Sequence, residues 1–76
     1  MVSSDFTIGH KVMLDRHWQG YERSAFAKKC YLTPDSLKRI ELGTRKVRPH
    51  ELYEIAKQLG RTMEHFLEKP VLVERG

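Results

Sequence analysis

Apolar residues recur along the chain at the spacing of an amphipathic helix. Ile8 and Val12 lie one helical turn apart and mark one side of a predicted first helix. The same spacing recurs in four later segments, at Phe26, Ala27 and Cys30, at Leu37 and Ile40, at Leu52, Ile55, Ala56 and Leu59, and at Met63, Phe66 and Leu67. Strand-like patterning is absent, apart from a brief apolar run in the C-terminal tail. The pattern therefore predicts an all-helical domain.

Turn and cap residues delimit these segments. Gly20 and Gly60 supply the left-handed backbone that often ends a helix, and Pro49 suits a first helical position. Thr62 is a good cap for the last segment, and Pro70 ends it. The predicted helices span residues 8–18, 22–30, 34–42, 49–59 and 63–69.

Thr33-Pro34-Asp35 is the clearest local signal in the chain. Threonine is a good N-cap, proline is favoured at the first helical position, and aspartate suits the positive end of the helix dipole. The third helix therefore begins at Pro34 and ends before Gly43. Because only residues 31–33 separate it from the second helix, the two short helices must cross steeply, as in a helix-turn-helix.

The length of 76 residues predicts one domain with a small core, which favours association of two copies. We expect a loose N-terminal arm over residues 1–7, the helical domain over residues 8–69, and a tail over residues 70–76. The tail is a candidate dimerisation segment because it carries the apolar run Val71-Leu72-Val73.

The residue types needed for catalytic and metal sites are present but scattered. Cys30 is the only cysteine, and its apolar position on the second helix predicts a packed thiol. The four histidines lie far apart without metal-ligand spacing, which predicts surface side chains and no metal site. We therefore expect no enzyme activity and no cofactor. The sequence has no signal peptide and no membrane-length apolar run, which favours the cytoplasm and no membrane partner.

The net charge of +4 is concentrated in one segment. Residues 38–48 contain five basic residues and one acidic residue, Glu41, while basic and acidic residues balance over the rest of the chain. Such an excess creates a local positive field, which is typical of a nucleic-acid surface and equally of an exposed helix end and loop. The five basic residues are Lys38, Arg39, Arg45, Lys46 and Arg48.

The order of these signals resembles the Cro and phage-repressor class of helix-turn-helix proteins, also called the xenobiotic response element family. The resemblance spans residues 8–67 and implies a five-helix lambda-repressor-like DNA-binding domain, with the helix-turn-helix at helices 2 and 3. Ala27 fits because a larger side chain would push the recognition helix away. The residues that carry the resemblance are Ile8-Gly9, Ala27, Thr33, Ile40-Glu41, Gly43, and the string Leu52, Ile55, Ala56, Leu59 and Gly60.

Three features depart from the family pattern. Tyr31 stands where the family usually has glycine in the turn, and it must accept or avoid a left-handed backbone. Asp15 replaces an inward leucine late in helix 1, so we expect Leu14 or Trp18 to take over part of that packing. The third departure is at the opening of helix 2, where Glu22-Arg23 replaces a Ser-Gln pair.

The resemblance also implies which residues contact DNA. The outward positions near the start of helix 3 enter the major groove, where Arg39 can bind guanine O6 and N7 and Asp35 can accept from a cytosine amino group or act only as a cap. The expected base-contacting residues are Pro34, Asp35, Ser36 and Arg39. The expected phosphate-contacting residues are Arg23, Thr33, Lys38, Arg45, Lys46 and Arg48.

Function is expected to be sequence-specific regulation of transcription, most simply repression, by a homodimer on a palindromic site in double-stranded DNA. Two alternatives remain open: an antitoxin that binds a toxin and represses its own gene, and a restriction–modification controller protein. The short spare segments at the two ends count against a toxin-binding extension. The expected dimerisation residues are Met63, Phe66, Leu67, Val71, Leu72 and Val73.

Overall fold

The computed structural model describes residues 4–67, and within them the chain is all-helical. The helices are α1 (Ser4–Trp18), α2 (Arg23–Lys29), α3 (Pro34–Leu42), α4 (Pro49–Leu59) and α5 (Met63–Leu67). The predicted five-helix architecture, with the helix-turn-helix at α2 and α3, is confirmed.

Helix α1 begins one turn before its expected start at Ile8, so the chain is helical from Ser4 onward and the expected loose arm over residues 1–7 is wrong for that part. The segment from Ser4 to Thr7 contains no glycine or proline. Nothing in it therefore opposes continuation of the helix toward the N-terminus.

Helix α3 has the two ends that its sequence predicts. At its start, the Thr33 hydroxyl oxygen accepts a hydrogen bond of 3.1 Å from the Ser36 backbone N–H. At its end, Gly43 adopts the left-handed conformation with a φ of 79°. The Thr44 N–H then donates to the Arg39 carbonyl at 3.0 Å. These caps satisfy backbone groups that would otherwise lack helical partners, and they fix the length of the helix.

The turn between α2 and α3 is closed by a residue under backbone strain. Tyr31 accepts the left-handed conformation, with a φ of 61° and a side chain that is 85% exposed. On one side of it the Leu32 N–H donates to the Ala27 carbonyl at 2.8 Å, the pattern of a helix C-terminus normally closed by glycine. A side chain in this conformation costs about 1–2 kcal/mol relative to the right-handed one.

The core lies where the five helices meet. Ala27 is fully buried, which agrees with the close approach of α2 and α3 expected at this position. The other core residues are Val12, Phe26, Cys30, Leu37, Ile40, Leu52, Ile55, Ala56, Leu59 and Phe66.

The packing expected of Leu14 or Trp18 does not occur, because their side chains are 44% and 85% exposed. Asp15 itself is buried, and its Oδ2 lies 2.9 Å from His65 Nε2 and 3.4 Å from Arg61 Nε. A polar cluster between α1 and the region of α5 therefore occupies the place of the family's leucine. His65 is half-buried by this contact and is not the surface histidine that the sequence predicts.

Helices α1 and α3 approach so closely that only glycine fits between them. A Cβ atom built on Gly9 would lie 1.9 Å from the Ile40 carbonyl oxygen and 3.1 Å from the Glu41 carbonyl carbon. The neighbouring atoms belong to the backbone of α3, which cannot rotate away as a side chain can. Gly9 thus sets the distance between α1 and the end of α3.

We expect Gly9→Ala to lower the free energy of unfolding by about 1–3 kcal/mol, the usual cost of forcing extra atoms into a packed site. This range is the net effect and already includes the gain of about 1 kcal/mol that alanine brings over glycine inside a helix. Urea unfolding of both proteins measures the difference. Ser24→Ala, at an exposed position of α2, is the control and should change stability by less than about 0.5 kcal/mol. Equal stability of Gly9→Ala and the unmodified chain would contradict the close approach.

Candidate nucleic-acid interface

Helix α3 divides cleanly into a buried side and an exposed side. Leu37, Ile40 and Glu41 are buried against the other helices. Pro34, Asp35, Thr33, Lys38 and Arg39 are exposed, and Ser36 is half-buried beside the cap. The expected outward positions thus lie together along the first two turns of the helix, where a short helix can present them to a groove of DNA.

Glu41 anchors the buried side of α3 through two arginines. Its carboxylate accepts a bidentate pair of hydrogen bonds from Arg16, from Nε at 2.7 Å and from Nη2 at 3.1 Å. The Nε of Arg23 donates to the same carboxylate at 3.2 Å. Arg16 also donates to the Tyr21 carbonyl at 2.8 Å. The negative charge of Glu41 is therefore matched inside the protein and does not reduce the positive charge of the surface.

Arg23 stands at the start of α2 with part of its side chain exposed. The Glu22 carboxylate caps this helix by accepting from the Ala25 N–H at 3.2 Å, so glutamate performs the capping role of the family's serine. The Arg23 side chain is 39% exposed, although its Nε contacts Glu41. A guanidinium has five N–H groups, so this contact leaves others for a second partner.

The loop between α3 and α4 is held by a bidentate ion pair. Nη1 and Nη2 of Arg45 donate to the two carboxylate oxygens of Glu51 at 3.0 and 2.9 Å. Glu51 also accepts from the Arg48 N–H at 2.9 Å, which ties the start of α4 to the same contact. The hydrogen bond from Arg45 is the main reason that the pKa of Glu51 is lowered, and it raises the pKa of Arg45. The expected phosphate contact at Arg45 thus already has a partner within the chain.

Asp35 and Arg39 form an ion pair one helical turn apart on the exposed side of α3, with 3.0 Å between Oδ2 and Nε. The i, i+4 spacing of these two residues is a sequence signal for such a pair. The contact of Glu41 with Arg16 had no comparable local signal. The remaining basic residues of this surface are Lys46 and Arg48, which are exposed on the loop, and Lys38 on α3.

The comparisons with known proteins agree with this geometry. Residues 14–66 match the model of a helix-turn-helix family, which is more than half of the chain. The chain belongs to the helix-turn-helix family of the Cro and phage-repressor type. It is accordingly a DNA-binding transcriptional regulator. No curated protein matches the chain.

Two crystal structures of the clp gene regulator ClgR from Corynebacterium glutamicum have a similar fold. One is 20% identical to this chain, with a TM-score of 0.84 over 87% of this chain and 70% of the ClgR chain. The other is 19% identical, with a TM-score of 0.83 over 88% of this chain and 87% of its own. At this level of identity the likeness establishes a shared fold.

The residues expected to form the dimer contact of this helix-turn-helix protein differ in exposure. Phe66 is only 1% exposed and belongs to the core, so its assignment to a dimer surface is wrong. The sequence showed that Phe66 is apolar but not what covers it, and in the structure Phe66 packs into the core of its own chain. Met63 is partly buried against the core, whereas Leu67 is 52% exposed. Val71, Leu72 and Val73 lie outside the described residues.

The Cys30 thiol and the metal-binding side-chain types are the other candidates for a chemical site in the described part of this helix-turn-helix domain. Burial raises the pKa of the Cys30 thiol to about 12, and the nearby Glu54 charge adds to the shift. The thiol therefore stays protonated and packed, as expected from the sequence. Within residues 4–67 no group of His, Cys, Asp and Glu could hold a metal ion. No helix there is long and apolar enough to cross a membrane.

We expect the Arg45–Glu51 contact to make the stability of the domain depend on acid pH. A carboxyl group whose pKa is lowered on folding stabilises the native state above its unfolded pKa, which is about 4.3. That contribution is lost as the pH falls from there through the lower folded pKa. Glu51→Gln should therefore be less stable than the unmodified chain at pH 7, and the difference should shrink toward pH 3.

Thermal unfolding between pH 7 and pH 3, followed by circular dichroism, measures this difference. Glu64→Gln is the matched control, because Glu64 is an exposed acid in the first turn of α5. A stability difference for Glu51→Gln that stays constant over this pH range would show that the contact carries no proton linkage.

Proposed function

We propose that this chain is a sequence-specific repressor that binds a palindromic operator in double-stranded DNA as a homodimer. The observation that supports the proposal is the exposed face of α3, which carries Asp35, Lys38 and Arg39, while its opposite face is fixed to α1 and α2 through Glu41. A helix held so firmly can present the same side chains to DNA in every encounter.

The face of α3 that meets the bases is assigned to Pro34, Asp35, Ser36 and Arg39. Arg39 is the principal reader, because a guanidinium can donate together to O6 and N7 of guanine, the commonest specific contact in the major groove. Pro34 offers an apolar surface for a thymine methyl group. The Ser36 hydroxyl oxygen accepts from the Thr33 hydroxyl at 3.0 Å, and its own proton is available to an acceptor on a base.

Phosphate contacts are assigned to the basic residues that flank this face. Lys38, Lys46 and Arg48 are exposed, and Arg23 lies at the start of α2, where backbone N–H groups add to the attraction for an anion. The Thr33 hydroxyl lies at the start of α3, and it would reach a phosphate by turning its proton from the Ser36 hydroxyl to a phosphate oxygen. Arg45 contributes by holding the loop through Glu51, so its effect on binding is exerted through the position of its neighbours.

The need for a second copy follows from the size of the reading surface. One short helix contacts only a few base pairs, and so short a sequence recurs many times in a genome. Met63 and Leu67 share one face of α5, and Met63 borders a cavity of about 340 Å³ between α4 and α5 that Tyr53 also lines. With Leu67 and Tyr53 more than half exposed, this face supports a contact between two copies, with the tail over residues 70–76 assisting.

The proposal is tested by gel shift with genomic fragments from next to the gene, beside selection from a library of random duplexes. The expected result is a discrete shift with one fragment and an enriched sequence with two-fold symmetry. Transcription from that fragment should fall when the protein is added. Binding of all fragments with equal affinity would contradict sequence-specific regulation.

Lys46→Ala and Arg48→Ala should each reduce the salt dependence of DNA binding. Each phosphate that a cation neutralises contributes about −0.9 to the slope of log affinity against log salt concentration. Each variant should therefore flatten the slope by about that amount and weaken binding to all sequences similarly. Lys28→Ala, which removes an exposed charge from the last turn of α2, is the control and should keep the slope. An unchanged slope for both loop variants would move the phosphate surface elsewhere.

The operator should contain two half-sites whose centres are about 10–10.5 base pairs apart, because two-fold related helices must reach successive major grooves about 34 Å apart on one face of DNA. Leu67→Glu and a chain truncated after Lys69 should each weaken the dimer. Leu14→Glu, at another exposed leucine, should not. Equilibrium sedimentation with and without the palindromic site measures the stoichiometry. One copy per saturated symmetric site would refute the dimer.

A further inference from the structure

Asp35 and Arg39 are joined before any DNA is present. Oδ2 of Asp35 lies 3.0 Å from Nε of Arg39, across one turn of α3. Both side chains are largely exposed, at 70% and 62%, so neither is held in place by packing against the core. Within the described residues, the ion pair of the Arg39 guanidinium is with this carboxylate one turn earlier.

We propose that Asp35 is a positioning residue, which sets the orientation of the Arg39 guanidinium so that the two side chains select one guanine as a unit. The inference rests on the proposed function, since it needs Arg39 to contact a base. It assigns Asp35 to Arg39 and not to a cytosine amino group of its own.

The first argument for this assignment is the geometry of the contact. Asp35 approaches the guanidinium at Nε, the nitrogen that joins it to Cδ of the aliphatic chain. The terminal nitrogens Nη1 and Nη2 form the outer edge of the fork, and two parallel N–H groups on such an edge match the O6 and N7 acceptors of guanine. A carboxylate beside Nε thus holds the guanidinium near Asp35 by charge and leaves its outer edge free.

The second argument concerns charge. An aspartate that left Arg39 to contact cytosine would place an unmatched negative charge among DNA phosphates and would release a flexible arginine. An aspartate that stays with Arg39 keeps the pair neutral. Its location in the first turn of α3 also favours its ionised form, because the helix dipole is positive there.

The third argument separates binding from folding. In water an exposed pair at i, i+4 changes an equilibrium constant by only about twofold, so the loss of Asp35 should hardly affect stability. The same contact strengthens when a DNA groove displaces water from it, because the local dielectric constant falls. An arginine that is ordered before binding also loses less side-chain entropy on meeting its base. The effect of Asp35 should consequently appear in base selectivity.

The test compares the sequence preferences of the full chain and its variants in selection from a duplex library with random central positions. The variants are Asp35→Ala, Asp35→Asn, Asp35→Glu, Arg39→Ala and the double variant Asp35→Ala with Arg39→Ala. Dissociation constants are then measured on duplexes that differ at single base pairs. Glu64→Ala serves as the control, since it removes an exposed acid from the first turn of a different helix.

Arg39→Ala should lose selectivity at one base pair by about 5- to 150-fold. Asp35→Ala and Asp35→Asn should lose selectivity at that same base pair, and the double variant should lose no more than Arg39→Ala alone. Asp35→Glu, which keeps a carboxylate within reach of Arg39, should retain most of the selectivity. Asp35→Ala should at the same time bind random DNA more tightly, since a negative charge has been removed beside the phosphates. Glu64→Ala should keep the selectivity at every position.

Loss of selectivity by Asp35→Ala at a different base pair, additive with Arg39→Ala, would overturn the inference and make Asp35 a direct reader. Unchanged selectivity of Asp35→Ala would overturn it as well and leave only a pair on the helix surface. Failure of the unmodified chain to enrich any sequence would instead refute the proposed function, and the inference with it.

Discussion

The carboxylate of Glu41 is the point at which three helices of this domain are joined. It lies at the end of α3, its side chain is 1% exposed, and it meets Arg16 from α1 and Arg23 from α2. A buried carboxylate is costly unless it is matched, and here every strong contact of that charge is to a neighbouring helix. Removal of one partner from such a cluster typically costs about 3–5 kcal/mol, because the remaining charge is left in a poorly solvated place.

The same contact decides which sides of α3 are buried and exposed. Because Glu41 points inward, residues on the opposite side of α3 must point outward, and these include Asp35 and Arg39. Gly9 allows α1 to approach the end of α3 closely enough for this arrangement. The buried side and the exposed side of the helix are therefore two consequences of one set of packing constraints.

Local chemistry made much of the fold predictable from the sequence. Thr33 with Pro34 marked the start of α3, and Gly43 marked its end, because caps act within one turn of the residue that provides them. The contacts between distant residues were not predictable in this way. Asp15 meets His65 across a sequence separation of 50, and nothing at either position signals the other. Amphipathic spacing likewise identified Phe66 as apolar but could not tell whether its own core or a second copy would cover it.

The candidate site was likewise predictable from the sequence only in part. The outward positions of α3 followed from the inward ones, since helical periodicity relates them directly. The charge excess over residues 38–48 was also visible, but its distribution was not. Arg45 is occupied by Glu51, while Glu41 is matched by Arg16, so the exposed positive charge is arranged differently from what the composition of the segment suggests.

Tyr31 has a consequence for how this surface can change over time. Its left-handed backbone lowers the stability of the fold by about 1–2 kcal/mol, a cost that glycine at the same turn would not carry. Proteins tolerate substitutions only while their stability stays above the level that function requires. A chain that exchanged Tyr31 for glycine would gain a margin, and that margin could offset a destabilising replacement on the reading face of α3. Replacement of Tyr31 by glycine is thus one route by which the exposed face of α3 can change without loss of the fold.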